Sequence, residues 1–407
     1  MTDQADRVGV YDRTEDVPIP GGGDVRDPYP DFARNRAADP VLKVADGWLQ
    51  PGGPGTVWMA YGHEQVTQVL RDDATFSSSN IADAMGEVMG RTILEMDGDE
   101  HLRYRSLVAQ AFRPRMLARW ETTLIEPLVH ELVDRFIDRG RADLVPELIY
   151  HYPVRVISRI LGLPDADYAQ FQRWAIAIIA HAADHQRGVK ASRELRDYLS
   201  GVLAARRAEP QDDVVSALVQ AELDGHVLSD EEILPFLLLL LPAGGETTYR
   251  ATGNLLYALL THPDQLDAVR RDRALLPAAI EEALRWEPPL LILARTPTCP
   301  ARLGGHDVVA GDLVAVCMGA ANRDEGFVAE PDRYDITREQ RQHLSFGTGP
   351  HMCLGMHLAR LEMRVAVNVV LDRLPGLRLD PTATDDPHIH GMVFRSPTSL
   401  PVVWDRA

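Results

Sequence analysis

The segment from Ser229 to His262 constrains this chain more than any other. Ser229-Asp230-Glu231-Glu232 reads as a capping box: the serine hydroxyl accepts an early helical N–H and Glu232 reaches back to the serine backbone. Apolar residues then recur at helical spacing as far as Leu260, and His262-Pro263 stops the pattern. A helix of about 30 residues is roughly 45 Å long, enough to cross a whole domain. Its most apolar stretch, 233–243, is about half of the ~20 residues that span a bilayer, and Pro235 and Pro242 interrupt it. Such a helix belongs in a protein core, with the rest of the chain packed around it.

The rest is helical for most of its length. Segments 99–112, 126–139, 154–161, 168–183 and 191–208 carry apolar residues at three- and four-residue spacing. Short alternating runs at 57–61, 308–318, 377–380 and 400–404 predict a small sheet. Pro and Gly cluster at 18–23 and 51–55, so an irregular approach is expected over 1–28. With no repeat and no Gly/Ser linker, the expectation is one mainly α domain over 1–407 with a smaller β region. The 42 Lys+Arg against 60 Asp+Glu leave a net charge of −18, which argues against wrapping a nucleic-acid backbone. Three cysteines, Cys299, Cys317 and Cys353, cannot all pair, which suits a reducing compartment. The first 20 residues are acidic and lack the apolar core of a signal peptide, so a cytoplasmic protein with no membrane attachment is expected.

The chemistry concentrates at Phe346-Gly347-Thr348-Gly349-Pro350-His351-Met352-Cys353-Leu354-Gly355. Two glycines and a proline make a tight loop whose backbone passes close to something flat or bulky. Cys353 then stands at the mouth of a helix, where unpaired N–H groups favour a thiolate. Zinc normally wants three or four Cys/His ligands at short spacing, and no CxxC exists here. The local signature of a papain-type nucleophile is missing as well, although a distant His partner is not excluded. An axial haem ligand needs one thiolate, with cationic groups for two propionates.

The loop resembles the haem-binding segment of the cytochrome P450 family, matching Phe-x-x-Gly-x-x-x-Cys-x-Gly at each defined position. Three further segments agree in the family's order, so the resemblance runs from about Tyr29 to Val403. It implies the P450 fold, haem b as cofactor and Cys353 as the iron ligand, with Phe346, Gly347 and Gly355 in the binding loop. Ala243-Gly244-Gly245-Glu246-Thr247-Thr248 matches the oxygen-binding step of the long helix. There Ala243 and Gly244 leave room for the macrocycle, while Thr247 and Glu246 deliver protons to dioxygen. His101, Arg105, Arg295 and His351 match the propionate partners, where arginine offers a bidentate fork. Glu282 and Arg285, three residues apart, match a buried structural pair, with Arg333 expected as its third member. One departure stands out. Pro242 lacks an N–H and frees the Leu238 carbonyl, which predicts a kink or widened turn beside Glu246.

The resemblance implies a monooxygenase that uses O2 to oxidise a C–H or C=C bond, with the difficult chemistry residing in the cofactor. The acid–threonine pair favours this over a peroxide-driven peroxygenase, or over a haem-binding sensor without turnover. No flavin, iron–sulfur or dinucleotide-binding pattern follows, so the expected donor is a ferredoxin with an NAD(P)H-dependent reductase. Arg103, Arg113, Arg115, Arg341 and Arg364 would form its docking patch on a protein expected to be a monomer. The positions matching the family's pocket are Leu239, Leu290, Leu291, Leu293, Val393 and Phe394. All are apolar, which implies a lipophilic substrate of terpenoid, steroid, fatty acyl or polyketide type from secondary metabolism. The loop 80–94 would form its lid.

Overall fold

The structure, a computed structural model, describes residues 19–46, 55–182, 184–223, 225–384 and 387–406. The expectations for 1–18 and 51–54 lie outside them. The capping box is present in full: Ser229 N–H donates to Glu232 Oε2 at 2.7 Å and Glu232 N–H to Ser229 Oγ at 3.3 Å. From it runs one helix, Asp230–Thr261, of 32 residues, and Pro263 opens the next, Pro263–Arg271. Of the kink or widened turn expected at Pro242, the widened turn is absent: no 3₁₀ or π turn interrupts this helix. Proline removes one ladder bond at a cost of about 3 kcal/mol. Here residues 233–242 are all buried, and their packing on every side holds the helical path.

Helices Tyr152–Ile160, Leu276–Trp286 and Met356–Arg373 pack against the long helix. The closest approach is made by its glycines. A Cβ on Gly244 would lie 2.5 Å from Ile157, and one on Gly245 would lie 2.6 Å from Val154. Both glycines therefore serve helix–helix contact, and Gly244 also lines the cavity described below. The predicted helices appear with shifted ends; 191–208, for example, begins earlier, as His185–Ala208. The expected lid loop begins instead as a helix, Asn80–Met89, which buries Val88 and Met89. Ser192 Oγ donates to its Val88 carbonyl, and His181 Nε2 lies 2.6 Å from its Ala84 carbonyl. The irregular remainder carries Ile93 and Leu94 towards the core.

The main sheet has five strands, in the order Val41–Asp46, Thr56–Ala60, Leu313–Cys317, Ile292–Pro297, Phe76–Ser77. Leu313–Cys317 runs parallel to Thr56–Ala60 and antiparallel to Ile292–Pro297, where Val314 faces Arg295. The predicted strand 308–318 is in fact two, His306–Val308 and Leu313–Cys317, separated at Gly311 by a φ of +93°. Among the described residues no helix is long and apolar enough to cross a membrane.

Candidate functional site

A cavity of about 310 Å³ lies between the long helix, strand Ile292–Pro297 and the loop ahead of helix Met356–Arg373. Phe346, Gly347, Cys353 and Gly355 form one wall, while Leu239, Ala243, Gly244 and Thr247 face it from the long helix. His101, Arg105, Arg295 and His351 also line it. The fold thus gathers into one space residues separated by more than 250 positions, from His101 to Gly355.

The glycine-rich loop is a set of left-handed turns. Gly347 has φ +68° and Gly349 φ +77°, and a Cβ on Gly349 would meet the Leu70 carbonyl at 2.5 Å. Cys353 N–H closes the loop on the Phe346 carbonyl at 2.8 Å. Arg360 lies 4.4 Å over the Phe346 ring. The helix start does not by itself make a thiolate. Cys353 is exposed at the cavity surface, yet enclosure by the surrounding protein pushes its thiol above the ordinary value, and this outweighs the backbone N–H groups of Gly355 and Met356 and the charges of Arg105 and Arg360. A metal ion at this sulfur would reverse that balance.

On the cationic side of the cavity Asp97 pairs with His351, but Arg295 has no carboxylate partner among the described residues. Arg295 is 7% exposed; its Nη1 donates to the Ala294 carbonyl at 2.8 Å, and it makes no ion pair among the described residues. Burial brings its pKa down to about 10. His101 is buried, with no partner for Nδ1 among the described residues. Burial, then the neighbouring His351 and Arg105, push its pKa down to about 4. Its ring stacks on His351 at 4.0 Å, and His351 Nε2 lies 3.2 Å from both Asp97 Oδ1 and Ser78 Oγ. Arg105 donates to the Met352 carbonyl beside the cysteine. A buried guanidinium without a carboxylate and an orphaned imidazole nitrogen are what a group bearing carboxylates would satisfy. The donor set fits a cofactor with one soft-metal position and carboxylate arms.

The acid–threonine pair divides. Thr247 reaches the cavity wall, where its hydroxyl donates back to the Ala243 carbonyl at 3.0 Å. Glu246 does not line the cavity; Arg250 Nε donates to its Oε1 at 2.9 Å and Tyr249 OH does so at 3.1 Å. The apolar wall carries Leu239, Leu290 and Leu293, with Ile93 and Leu94 from the end of the expected lid 80–94, and Phe236 and Leu240, which the sequence did not single out. Leu291, Val393 and Phe394 are not on it. Leu291 precedes strand Ile292–Pro297 and packs against Gly319. Val393 and Phe394 instead join their backbones to Leu291 and Leu290.

Glu362, also unforeseen, lines the cavity at 1% exposure with no partner for Oε2 among the described residues, and burial holds its carboxyl well above the usual range. No sequence signal marks it beyond its place on the helix after Cys353.

Glu282 and Arg285 form a buried bidentate pair, both bonds at 2.8 Å. The third member is Arg338, whose Nε reaches Glu282 Oε1 at 3.2 Å, and not Arg333. The Arg333 side chain points outward to Glu330 and Asp335, and only its carbonyl accepts from Arg285, at 3.1 Å.

A family model described as Cytochrome P450 matches residues 154–398. The cytochrome P450 monooxygenase PikC of Streptomyces venezuelae is 38% identical over 93% of this chain and 92% of its own length. Mycinamicin IV hydroxylase/epoxidase of Micromonospora griseorubida is also 38% identical, over 92% of this chain and 94% of its own. Among solved structures, CYP109E1 from Bacillus megaterium in complex with testosterone superposes with a TM-score of 0.83. It is 32% identical and covers 93% of this chain and 99% of that one.

Proposed function

The chain belongs to the cytochrome P450 family and is a cytochrome P450 monooxygenase; on that premise we propose that it oxidises a C–H or C=C bond of a lipophilic natural product, with electrons from an external ferredoxin system. One observation carries the reading. Cys353 and Thr247, on different elements, face one cavity whose rim holds a buried arginine and a buried histidine without an anion.

Cys353 would hold the haem iron, and Arg105, Arg295, His101 and His351 its two propionates. When bound, the haem supplies binding and cleavage of dioxygen, so that with two electrons and two protons one oxygen atom enters the substrate and the other leaves as water. The chain supplies position, dryness and protons. Thr247 holds a hydroxyl proton at the cavity wall, and Glu246, one residue away, is the acid that replenishes it. Leu239, Leu290, Leu293 and Phe236 exclude water and receive an apolar substrate without a charged anchor. A mycinamicin IV hydroxylase/epoxidase and a testosterone complex among the similar proteins support a substrate of polyketide or steroid type. The setting is the cytoplasm of a cell making secondary metabolites.

The test is the difference spectrum of the dithionite-reduced protein with carbon monoxide. A strongly red-shifted Soret band that disappears in Cys353→Ala is expected. A band typical of histidine ligation, or no haem, would overturn the assignment. Spectral titration with macrolides and steroids then identifies the substrate.

A further inference from the structure

The carboxylate next to Thr247 is not at rest in the cavity. Arg250, one helical turn beyond Glu246, donates to its Oε1 through Nε at 2.9 Å and Nη2 at 2.5 Å. An exposed i,i+4 pair on a helix contributes little to stability. This pair is different because it is enclosed: the Arg250 side chain is 4% exposed and that of Glu246 12%. Removing one partner of such a pair leaves a buried charge uncompensated.

The far side of the guanidinium is held by another part of the chain. Nη1 donates to Ser396 Oγ at 3.2 Å, and the guanidinium lies 5.0 Å from the Tyr249 ring and 5.5 Å from the Phe394 ring. Phe394 bridges to Leu290, and Leu290 lines the cavity. The arginine therefore links the acid on the long helix to a C-terminal segment that stands one β-bridge away from a cavity-lining leucine.

We propose that Arg250 is a positioning residue that clamps Glu246 off the cavity, with Phe394 and Ser396 holding the clamp, so that the acid serves Thr247 only when the clamp opens. This rests on Glu246 being the acid that supplies Thr247. Arginine suits the task because its rigid fork fixes carboxylate direction and its face stacks on rings; lysine supplies charge without either.

The experiment compares the haem-loaded wild type with Glu246→Gln, Arg250→Gln, the double variant, Arg250→Lys and Ser396→Ala. NADH oxidation is driven without substrate through a surrogate ferredoxin and reductase, in H2O and D2O. Infrared spectra of ¹³C-glutamate-labelled protein provide a readout independent of turnover. Arg250→Gln is expected to raise substrate-free NADH oxidation about threefold and to reduce its D2O effect. The double variant should match Glu246→Gln alone, which makes the two effects non-additive. The carboxylate band that Glu246→Gln removes should shift in both Arg250→Lys and Ser396→Ala.

Equal effects of Arg250→Gln with and without Glu246 would overturn the clamp, as would an unshifted band. If Arg250→Gln fails to take up haem, Arg250→Lys in the two backgrounds decides by the same criterion. A Glu246→Gln protein with wild-type NADH oxidation and D2O effect would overturn the relay role of Glu246 and the clamp with it. An altered Glu246→Gln protein beside an unaltered Arg250→Gln protein would overturn the clamp alone.

Discussion

Arg360 forks onto Glu281, with Nε to Oε1 at 2.6 Å and Nη2 to Oε2 at 2.8 Å, and so ties the helix that follows Cys353 to the helix bearing Glu282 and Arg285. Burial alone would raise the Glu281 carboxyl, but the bonds from Arg360 and His343 outweigh it and bring it down to about 2. A carboxyl depressed in the folded state contributes stability above its unfolded pKa of ~4.3, and that contribution fades as pH falls towards the folded value. Glu281→Gln should therefore lose roughly 1–3 kcal/mol at pH 7, with the difference from wild type closing between about pH 4.5 and 2. Urea unfolding across that range checks it; a deficit that persists undiminished at pH 3 would show that the pair's charge is not responsible.

Glu362 gives the opposite sign. Its folded carboxyl is raised by burial, so above the unfolded pKa of ~4.3 the unfolded chain releases a proton that the native protein keeps. The wild type then loses stability with rising pH, at up to about 1.4 kcal/mol per unit for one proton. Glu362→Gln keeps the shape and removes the titration. The variant should match wild type near pH 4 and unfold at higher urea concentration at pH 8. Parallel pH dependence of the two proteins would mean that Glu362 is ionised in the folded state.

What could be read in advance was local. The capping box, the ten-residue loop and the acid–threonine step each lie within one short window, and spacing alone places them on a helix start, a turn and a helix face. Contacts between windows could not be read. Arg333 and Arg338 are five residues apart in the same irregular stretch, and only its path shows that Arg338 turns in to Glu282 while Arg333 turns out. Leu291 was assigned to the pocket by resemblance, which does not fix where the strand begins; it begins one residue later, at Ile292, and Leu291 packs against Gly319. Glu281 and Arg360 are 79 residues apart and carry no shared signal. Glu246 was identified as an acid by its position, but its clamping by Arg250 and Ser396 depends on a segment 146 residues away from Arg250.

The glycines of the long helix give a packing test. A Cβ on Gly245 would sit 2.6 Å from Val154 Cγ2, a branched side chain close to its own backbone and unable to swing far. Gly245→Ala should cost about 1–3 kcal/mol despite alanine's better helix propensity. Adding Val154→Ala should recover part of that loss, because the methyl removed is the one that clashes. Thermal unfolding of the single and double variants decides; additive losses would place the strain elsewhere.

The surface near the cysteine narrows the donor-docking expectation. Arg364 is bonded to Glu121 at 2.8 Å and Arg341 to the Phe327 carbonyl at 2.7 Å, so both are already engaged. Arg103, Arg113 and Arg115 are exposed and make no ion pair among the described residues, and Leu102, next to Arg103 in the chain, is 56% exposed. Three such cations, on a chain of net charge −18, would steer an acidic ferredoxin. Arg103→Gln/Arg113→Gln should raise the ferredoxin's apparent KM about three- to tenfold at low ionic strength, with kcat little changed. The difference should shrink as salt rises, because screening removes the steering from both proteins. Steady-state NADH oxidation against ferredoxin concentration at two salt levels measures this. An unchanged KM would remove the patch, and a salt-independent rise would point to lost packing instead of lost charge.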